Sequence, residues 1–580
     1  MDILLVVSAF NSLSQRVYAE LSDEGHRVDV VLASHGPDAV RDAVREMGPE
    51  LIVAPMLKSA LPEDVWREHT CLIVHPGPPG DRGPSSLDWA IAEEAHEWGV
   101  TVLQAEAAMD AGDVWADGSF PMPPVGKSDV YRNELSDAAT AAVLLAVRRY
   151  ADGSYKPRPQ NELGVHVMWR DFFRQEQRRI DWDDDTATVL RKLRGADSQP
   201  GVLDEICDRE VFLHGGHPED RLRGEPGELL ATRAGAVCRA TRDGAVWIPE
   251  LRPRKSSGDP APFRRPAASV LAGFPAPPDS GPGMPGSNDR PYWLPEIAAP
   301  LELPPGRTTW TDIRYRQRGR IGFLSFSFPG GAMSTTHCRR LLAAWRYALT
   351  RPTSVLVLGG ARDFFSNGIH LNVIEASSDP AGESWSNLNA MNDLVEAVLR
   401  TTDRLVVAAL GGNAAAGGVM LALAADEVWC RTGSVLNPHY RNMGLHGSEY
   451  WTYSLPRRVG AETAERLTAE ARPVSAATAE RIGLADRLVP AAAQDFSAEV
   501  ERLAADLADD PDLPRRITAK ATARHADELH RPLAEYRRAE LALMRAVFFD
   551  PEAPYHALRS AFVRKLPNGS TRPLAAGDER

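Results

Sequence analysis

The chain has 580 residues, 43% apolar and 25% charged: the balance of a soluble globular protein, and too long for a single hydrophobic core. Its formal net charge of −13, with no basic stripe carrying interleaved aromatics, argues against a nucleic-acid binder. The five cysteines (Cys71, Cys207, Cys238, Cys338, Cys430) are odd in number, far apart and free of C-x-x-C spacing, which argues against a metal site or a disulfide framework and fits a reducing, cytoplasmic setting.

The opening Met1-Asp2-Ile3-Leu4-Leu5 reads as a first strand, because it has no basic region and no cleavage site. Through residues 1–160, short apolar runs at 3–7, 28–32, 51–54, 72–74 and 100–104 alternate with amphipathic stretches such as 14–24 and 37–47. That alternation predicts an α/β domain, a parallel sheet covered by helices. The first strand-to-helix turn, 8–14, lacks G-x-G-x-x-G, so no dinucleotide cofactor is expected. Residues 161–255 change to short runs (227–231, 236–239, 245–248) separated by glycine turns, which predicts a small β-rich, OB-like domain. Residues 256–306 are loaded with Pro, Gly, Ser and Ala and read as an extended linker, with Tyr292-Trp293-Leu294-Pro295 expected to pin part of it to a domain surface.

From 307 to 580 a second α/β pattern begins, with strands expected at 321–326, 354–358 and 405–409 and a helical tail from Ala461 onward. Residues 405–425 carry no charge and are long enough to span a bilayer. Gly411, Gly412, Asn413, Gly417 and Gly418 interrupt them, so a strand, a glycine loop and a helix describe them better.

Two constellations carry chemistry. In the first, His75 ends a strand and is followed by Pro76-Gly77-Pro78-Pro79-Gly80-Asp81-Arg82-Gly83; further on comes Asp110-Ala111-Gly112-Asp113. Strand ends are where open α/β sheets bind ligands, and a His near an Asp can serve as an oriented proton shuttle. Singly, the histidine reads as structural and the Asp-x-Gly as a turn. Together the stretch resembles the 10-formyltetrahydrofolate-dependent formyltransferases, such as the methionyl-tRNA and glycinamide ribonucleotide enzymes, in His75, Arg82-Gly83 and Asp110-Ala111-Gly112-Asp113. Arg179-Ile180-Asp181-Trp182 and Gly224-Glu225-Pro226-Gly227 extend the resemblance to the C-terminal domain of the methionyl-tRNA enzyme. It implies proton transfer by His75 and Asp110, and a formyl-folate site flanked by Ile73, Arg82, Gly83 and Asp113. Ile73 stands where that family has an asparagine that polarises the formyl oxygen. Isoleucine has no donor, so the oxyanion is less well stabilised, which favours a thiol acceptor over the usual amine.

In the second, Phe364-Phe365-Ser366-Asn367-Gly368-Ile369-His370 is followed by Gly412-Asn413-Ala414-Ala415-Ala416-Gly417-Gly418-Val419-Met420, entering a helix. Two such loops can aim backbone N–H groups at one thioester oxygen. Their order and spacing, with the tail Val459-Gly460 … Gly483-Leu484-Ala485-Asp486 … Val489-Pro490, resemble the enoyl-CoA hydratase/isomerase (crotonase) superfamily. The resemblance implies coenzyme A as ligand and an oxyanion hole from the amides of Asn367 and Gly417, beside Gly368 and Gly418. The register puts Met420 and His439 where hydratases carry glutamates, so water addition is not expected. The following loop offers Glu449 and Tyr440 as acid/base candidates, with His439 weaker and Arg441 or His446 as other inward-facing options.

A formyltransferase module followed by a crotonase module resembles the HypX (HoxX) family of hydrogenase-maturation factors. That implies carbon monoxide synthesis for the [NiFe]-hydrogenase iron: formyl transfer from 10-formyltetrahydrofolate to CoA, then splitting of formyl-CoA to CO and CoA. The implied partners are these small molecules and other hydrogenase-maturation proteins, with no nucleic acid and no membrane. Two other readings stay open: a sugar or amine formyltransferase linked to an acyl-CoA hydratase or isomerase, and a non-catalytic folate- and CoA-binding scaffold.

Overall fold

The computed structural model describes residues 1–274, 291 and 293–566. The first sheet has six strands in the order Arg27–Leu32, Asp2–Val7, Leu51–Ala54, Cys71–His75, Glu97–Gln104, Val114–Pro121. The first four run parallel, as the alternating pattern predicts, and are followed by two antiparallel strands. The last strand is hidden in the sequence because Asp117-Gly118-Ser119 reads as a turn. Strand Asp2–Val7 is buried at every position but its first, so it appears as a continuous apolar run. One face of the sheet packs on helices Ser12–Asp23 and Ser136–Asp152, the other on Pro37–Met47 and Glu63–Glu68.

The second unit is two four-stranded sheets, one of them including the hairpin strands Ala236–Ala240 and Ala245–Ile248. The stretch read as an extended linker is packed at both ends among the described residues. Strand Arg265–Pro266 joins one of these sheets, and helix Ala267–Leu271 buries Ala267, Val270 and Leu271, the i, i+3, i+4 face of a short helix. Trp293 and Leu294 pack on the same core. Residues 275–290 and Tyr292 lie outside the described residues.

The third unit has a six-stranded sheet in the order Ile313–Arg318, Ile321–Phe326, Val355–Gly359, Leu405–Leu410, Glu427–Arg431, Arg487–Val489; all neighbours but the first pair are parallel. The uncharged stretch divides as expected into strand Leu405–Leu410, a glycine turn and helix Gly417–Leu423. Among the described residues no helix is long and apolar enough to cross a membrane. The C-terminal helices Leu533–Phe548 and Pro554–Arg564 fold back on this unit through Leu388, Met544, Phe548 and Tyr555.

Arginines of both units clamp the third unit to the first. Arg362 reaches Asp129 at 2.9 Å and Glu134 at 2.7 Å, and Arg132 reaches Asp363 at 2.8 Å. Arg431, 2% exposed, donates to Gly411 O at 2.9 Å, Asp137 at 3.0 Å and Asn133 Oδ1 at 3.1 Å. A buried guanidinium with every arm partnered is stabilising only while the partners stay, so these contacts fix how the two units dock.

Candidate active sites

His75 closes strand Cys71–His75 and is 3% exposed. Each ring nitrogen meets a carboxylate: Nε2 lies 2.9 Å from Asp81 Oδ2 and Nδ1 lies 3.4 Å from Asp110 Oδ2. Gly77 makes this approach possible, since a Cβ there would stand 2.2 Å from Asp81 Oδ2 and 2.6 Å from His75 Nε2. Asp110 is aimed by Gly83, whose N–H donates to Oδ2 at 3.0 Å, and by Gln160, whose Nε2 donates to the Asp110 carbonyl at 2.8 Å. Burial alone would raise the Asp81 pKa. Hydrogen bonds from His75 and Ser86 and the Arg170 guanidinium, 2.8 Å from Oδ1, outweigh it and hold Asp81 below the usual carboxylate range. An imidazole between two carboxylates can accept a proton and have the resulting cation stabilised on both sides.

Two of these groups, Asp81 and Arg170, are missing from the sequence expectation. Arg170 arrives because Asp81–Arg82 pairs in parallel with Met168–Trp169, a two-residue contact with no periodic signature. Arg82 has a buried Nε without a partner among the described residues, a donor available to a ligand. Ile73 lies two residues before His75, on the same face of its strand, and packs on apolar neighbours. Asp113 sits beside the Asp110 turn, contributing its carbonyl to Gln104 N at 2.9 Å and no contact to His75.

The second site forms where helix Gly417–Leu423 starts. Ala416, at φ 48°, turns the chain so that the Gly417 N–H opens the helix with no acceptor among the described residues. Gly368 faces it from the other loop: a Cβ there would be 3.2 Å from Gly417 N. The expected oxyanion hole needs one correction. The Asn367 N–H donates to Gly331 O at 2.7 Å and its side chain to Gly330 O at 2.7 Å, so this amide is already committed. Gly368 N donates to Ser366 Oγ at 3.1 Å, and the next amide, Ile369, is the one left without an acceptor among the described residues. Gly418 serves packing, since a Cβ there would meet Ser366 O at 2.0 Å.

Glu449 is 1% exposed and points at Gly417: a Cβ on that glycine would stand 2.6 Å from Glu449 Oε1. Its other oxygen accepts from Tyr440 Oη at 2.8 Å and from Ser448 N at 3.1 Å. Burial raises the Glu449 pKa to about 7, with the hydrogen bond from Tyr440 pulling back and the Glu540 charge pushing further up. Burial and the Glu449 charge raise the Tyr440 pKa as well, so the phenol keeps its proton. The other candidates of the loop face elsewhere. His439 bonds Asn437 O at 2.9 Å, Arg441 donates to Ala469 O at 2.8 Å, and the His446 ring lies 5.3 Å from the Trp451 ring. Met420 is fully buried in the core. The helix turn that carries a hydratase's glutamate therefore has no carboxylate, while a carboxylate from another loop stands against the free amide.

Two family models match the chain: "Formyl transferase, C-terminal domain" over residues 173–261 and "Enoyl-CoA hydratase/isomerase" over residues 329–565. Part of the chain resembles methionyl-tRNA formyltransferases, for example that of Geobacter sulfurreducens at 24% identity over 254 residues, 43% of this chain and 77% of the relative. The hydrogenase maturation factor HoxX of Bradyrhizobium diazoefficiens is 46% identical over 579 residues, covering 100% of this chain and 97% of the relative. The crystal structure of HypX from Aquifex aeolicus in complex with tetrahydrofolic acid superposes with a TM-score of 0.90 at 42% identity, covering 98% of this chain and 96% of that one. Both halves and the way they are joined are thus shared along the whole length, and the chain belongs to the HypX/HoxX family of hydrogenase maturation factors.

Proposed function

We propose that this chain makes carbon monoxide for the active-site iron of [NiFe]-hydrogenase in two steps. In the first, CoA sulfur attacks the formyl carbon of 10-formyltetrahydrofolate, the carbon–N10 bond breaks, and N10 takes up a proton. His75, held by Asp81 and Asp110, carries the thiol proton to that nitrogen. The tetrahydrofolic acid in the Aquifex relative supports folate as the donor, and Ile73 in the polarising position favours a thiolate acceptor that needs less help.

In the second step, Glu449 removes the formyl proton of formyl-CoA. The carbon–sulfur bond breaks with its electron pair on sulfur, the former C–H pair stays on carbon, and CO leaves. Tyr440 donates its proton to the thiolate and regains one from Glu449 across their 2.8 Å hydrogen bond, which closes the cycle with CoA and both side chains restored. The Gly417 amide holds the thioester oxygen. The observation that carries this reading is the meeting of a buried Glu449, with a pKa near 7, and the free Gly417 amide in a site that has lost the hydratase carboxylate. The free cysteines, four of them buried, suit the reducing cytoplasm proposed as its location.

The test is to incubate the purified protein with 10-formyltetrahydrofolate and CoA and trap CO on deoxyhaemoglobin. CO release requiring both substrates is expected, with no hydration of crotonyl-CoA. Formyl-CoA accumulating without CO, or crotonyl-CoA hydrated at ordinary rates, overturns the reading.

A further inference from the structure

Glu449 stands on a corner that its own neighbours cannot hold. Glu449 (φ 62°) and Tyr450 (φ 60°) are successive non-glycine residues in the left-handed region, which costs on the order of 1 kcal/mol or more each unless the surroundings enforce it. Tyr450 is also the residue before helix Trp451–Val459, and no side chain of that segment caps the exposed N–H groups.

The cap comes from 90 residues away. Glu540, on helix Leu533–Phe548 and 1% exposed, accepts Tyr450 N at 2.9 Å on Oε2, and Thr452 N at 2.9 Å and Thr452 Oγ1 at 2.6 Å on Oε1. Asn392 completes the clamp, with Oδ1 accepting from Glu449 N at 3.2 Å. Burial pushes the Glu540 carboxyl above its usual range, while the donors from Thr452 and Tyr450 and the nearby Arg531 charge pull the other way and favour the ionised form that the cage fits.

We infer that Glu540 is a positioning residue for the thioester-splitting site: it locks the left-handed corner that aims Glu449 at Gly417 and places a second carboxylate behind the one that acts as base. This rests on the assignment of Glu449 as that base. The charged or titratable groups facing Glu449 are Tyr440, Glu540 and the buried Cys338; none is a cation. Of these only Glu540 adds a like charge from a separate element. The Glu540 charge adds to burial in raising the Glu449 pKa, so removing that charge is expected to lower it.

The experiment measures CO release from supplied formyl-CoA against pH, for the full-length parent, E540Q, E540D and E449Q, with formyl transfer to CoA as the control for an intact remainder. In E540Q the charge is gone and an amide N–H2 faces a backbone donor; kcat is expected to fall about tenfold and its acid limb to move to lower pH. E540D keeps the charge but shortens the reach, so kcat is expected to fall several-fold with the limb in place. A merely structural role would lower kcat in both without moving either limb, and that result overturns the charge effect. Parent kcat in E540D overturns the clamp. If E540Q fails to fold, E540D together with Thr452→Val, which removes one donor to Glu540, decides the clamp on kcat, and Asn392→Asp, which adds a like charge beside the corner, decides the charge effect by an upward shift of the limb. E449Q separates the two levels of inference: if it releases CO at the parent rate the base assignment itself falls, whereas an inactive E449Q beside unaltered Glu540 variants rejects only the positioning role.

Discussion

The two sites use the same side-chain type in opposite ways. Asp81 and Glu449 are both buried carboxylates beside a proton-bearing partner, His75 in one case and Tyr440 in the other. Asp81 has the Arg170 guanidinium 2.8 Å away and is held below the ordinary range; Glu449 has no cation and a second carboxylate, Glu540, behind it, and rises to about 7. Burial is common to both; hydrogen bonds from His75 and Ser86, with the Arg170 charge behind them, overcome it at Asp81, whereas at Glu449 it prevails and the Glu540 charge adds to it, which separates an anion that orients a histidine from a group able to take and give a proton near neutrality.

The comparison breaks most sharply at Glu449. E449Q should lower CO release from formyl-CoA by roughly 10³-fold while formyl-CoA still forms from formyl-folate and CoA, followed by chromatography of the thioester. In the parent, the base must be ionised. CO release should therefore rise with pH up to about 7 and level off above it, falling about tenfold per unit below. The complementary variants, His75→Ala and Asp110→Ala, should lose formyl transfer by about 10²-fold and leave the splitting of supplied formyl-CoA intact. A loss of both activities in either set would mean that the sites are not independent.

Much of this contrast is legible in the sequence on one side only. His75, Arg82, Gly83 and Asp110 fall within 36 positions along one strand-end loop and its neighbour, so spacing alone brings them together. The second site is assembled from Gly417, Tyr440, Glu449, Asn392 and Glu540, on separate loops and helices, and only a choice of chemically suitable residues on one loop pointed to Glu449 and Tyr440. Asn392 and Glu540 have no local signal: each looks like an ordinary polar position of an amphipathic helix until the helix is docked. The misassigned oxyanion amide has the same origin, since the acceptor that commits Asn367 is Gly331, from a different turn. Strands such as Leu51–Ala54 and Leu405–Leu410, buried on both faces, read as continuous apolar runs, whereas Val114–Pro121, Met168–Trp169 and Glu427–Arg431 do not.

Smaller effects sharpen the comparison. Asp81→Asn removes the anion on His75 Nε2 but keeps an acceptor, and should slow formyl transfer about tenfold, with the loss measured in kcat and not in KM for folate. Ile73→Asn should shift acceptor choice by a few-fold toward hydroxylamine relative to CoA, measured as the ratio of the two transfer rates, because it restores a donor beside the formyl oxygen.

The raised pKa of Glu449 also costs heat resistance. The folded protein keeps a proton on this group up to about pH 7, whereas an unfolded chain releases it near 4.5, so stability declines as pH rises between those values, by about 1.4 kcal/mol per unit and roughly 3 kcal/mol in all. At pH 8 the neutral E449Q should therefore melt at a higher temperature than the parent, and by less at pH 5. On the proposed reading, a selection for thermal tolerance at alkaline pH favours loss of the base itself, so it has to be coupled to carbon monoxide output.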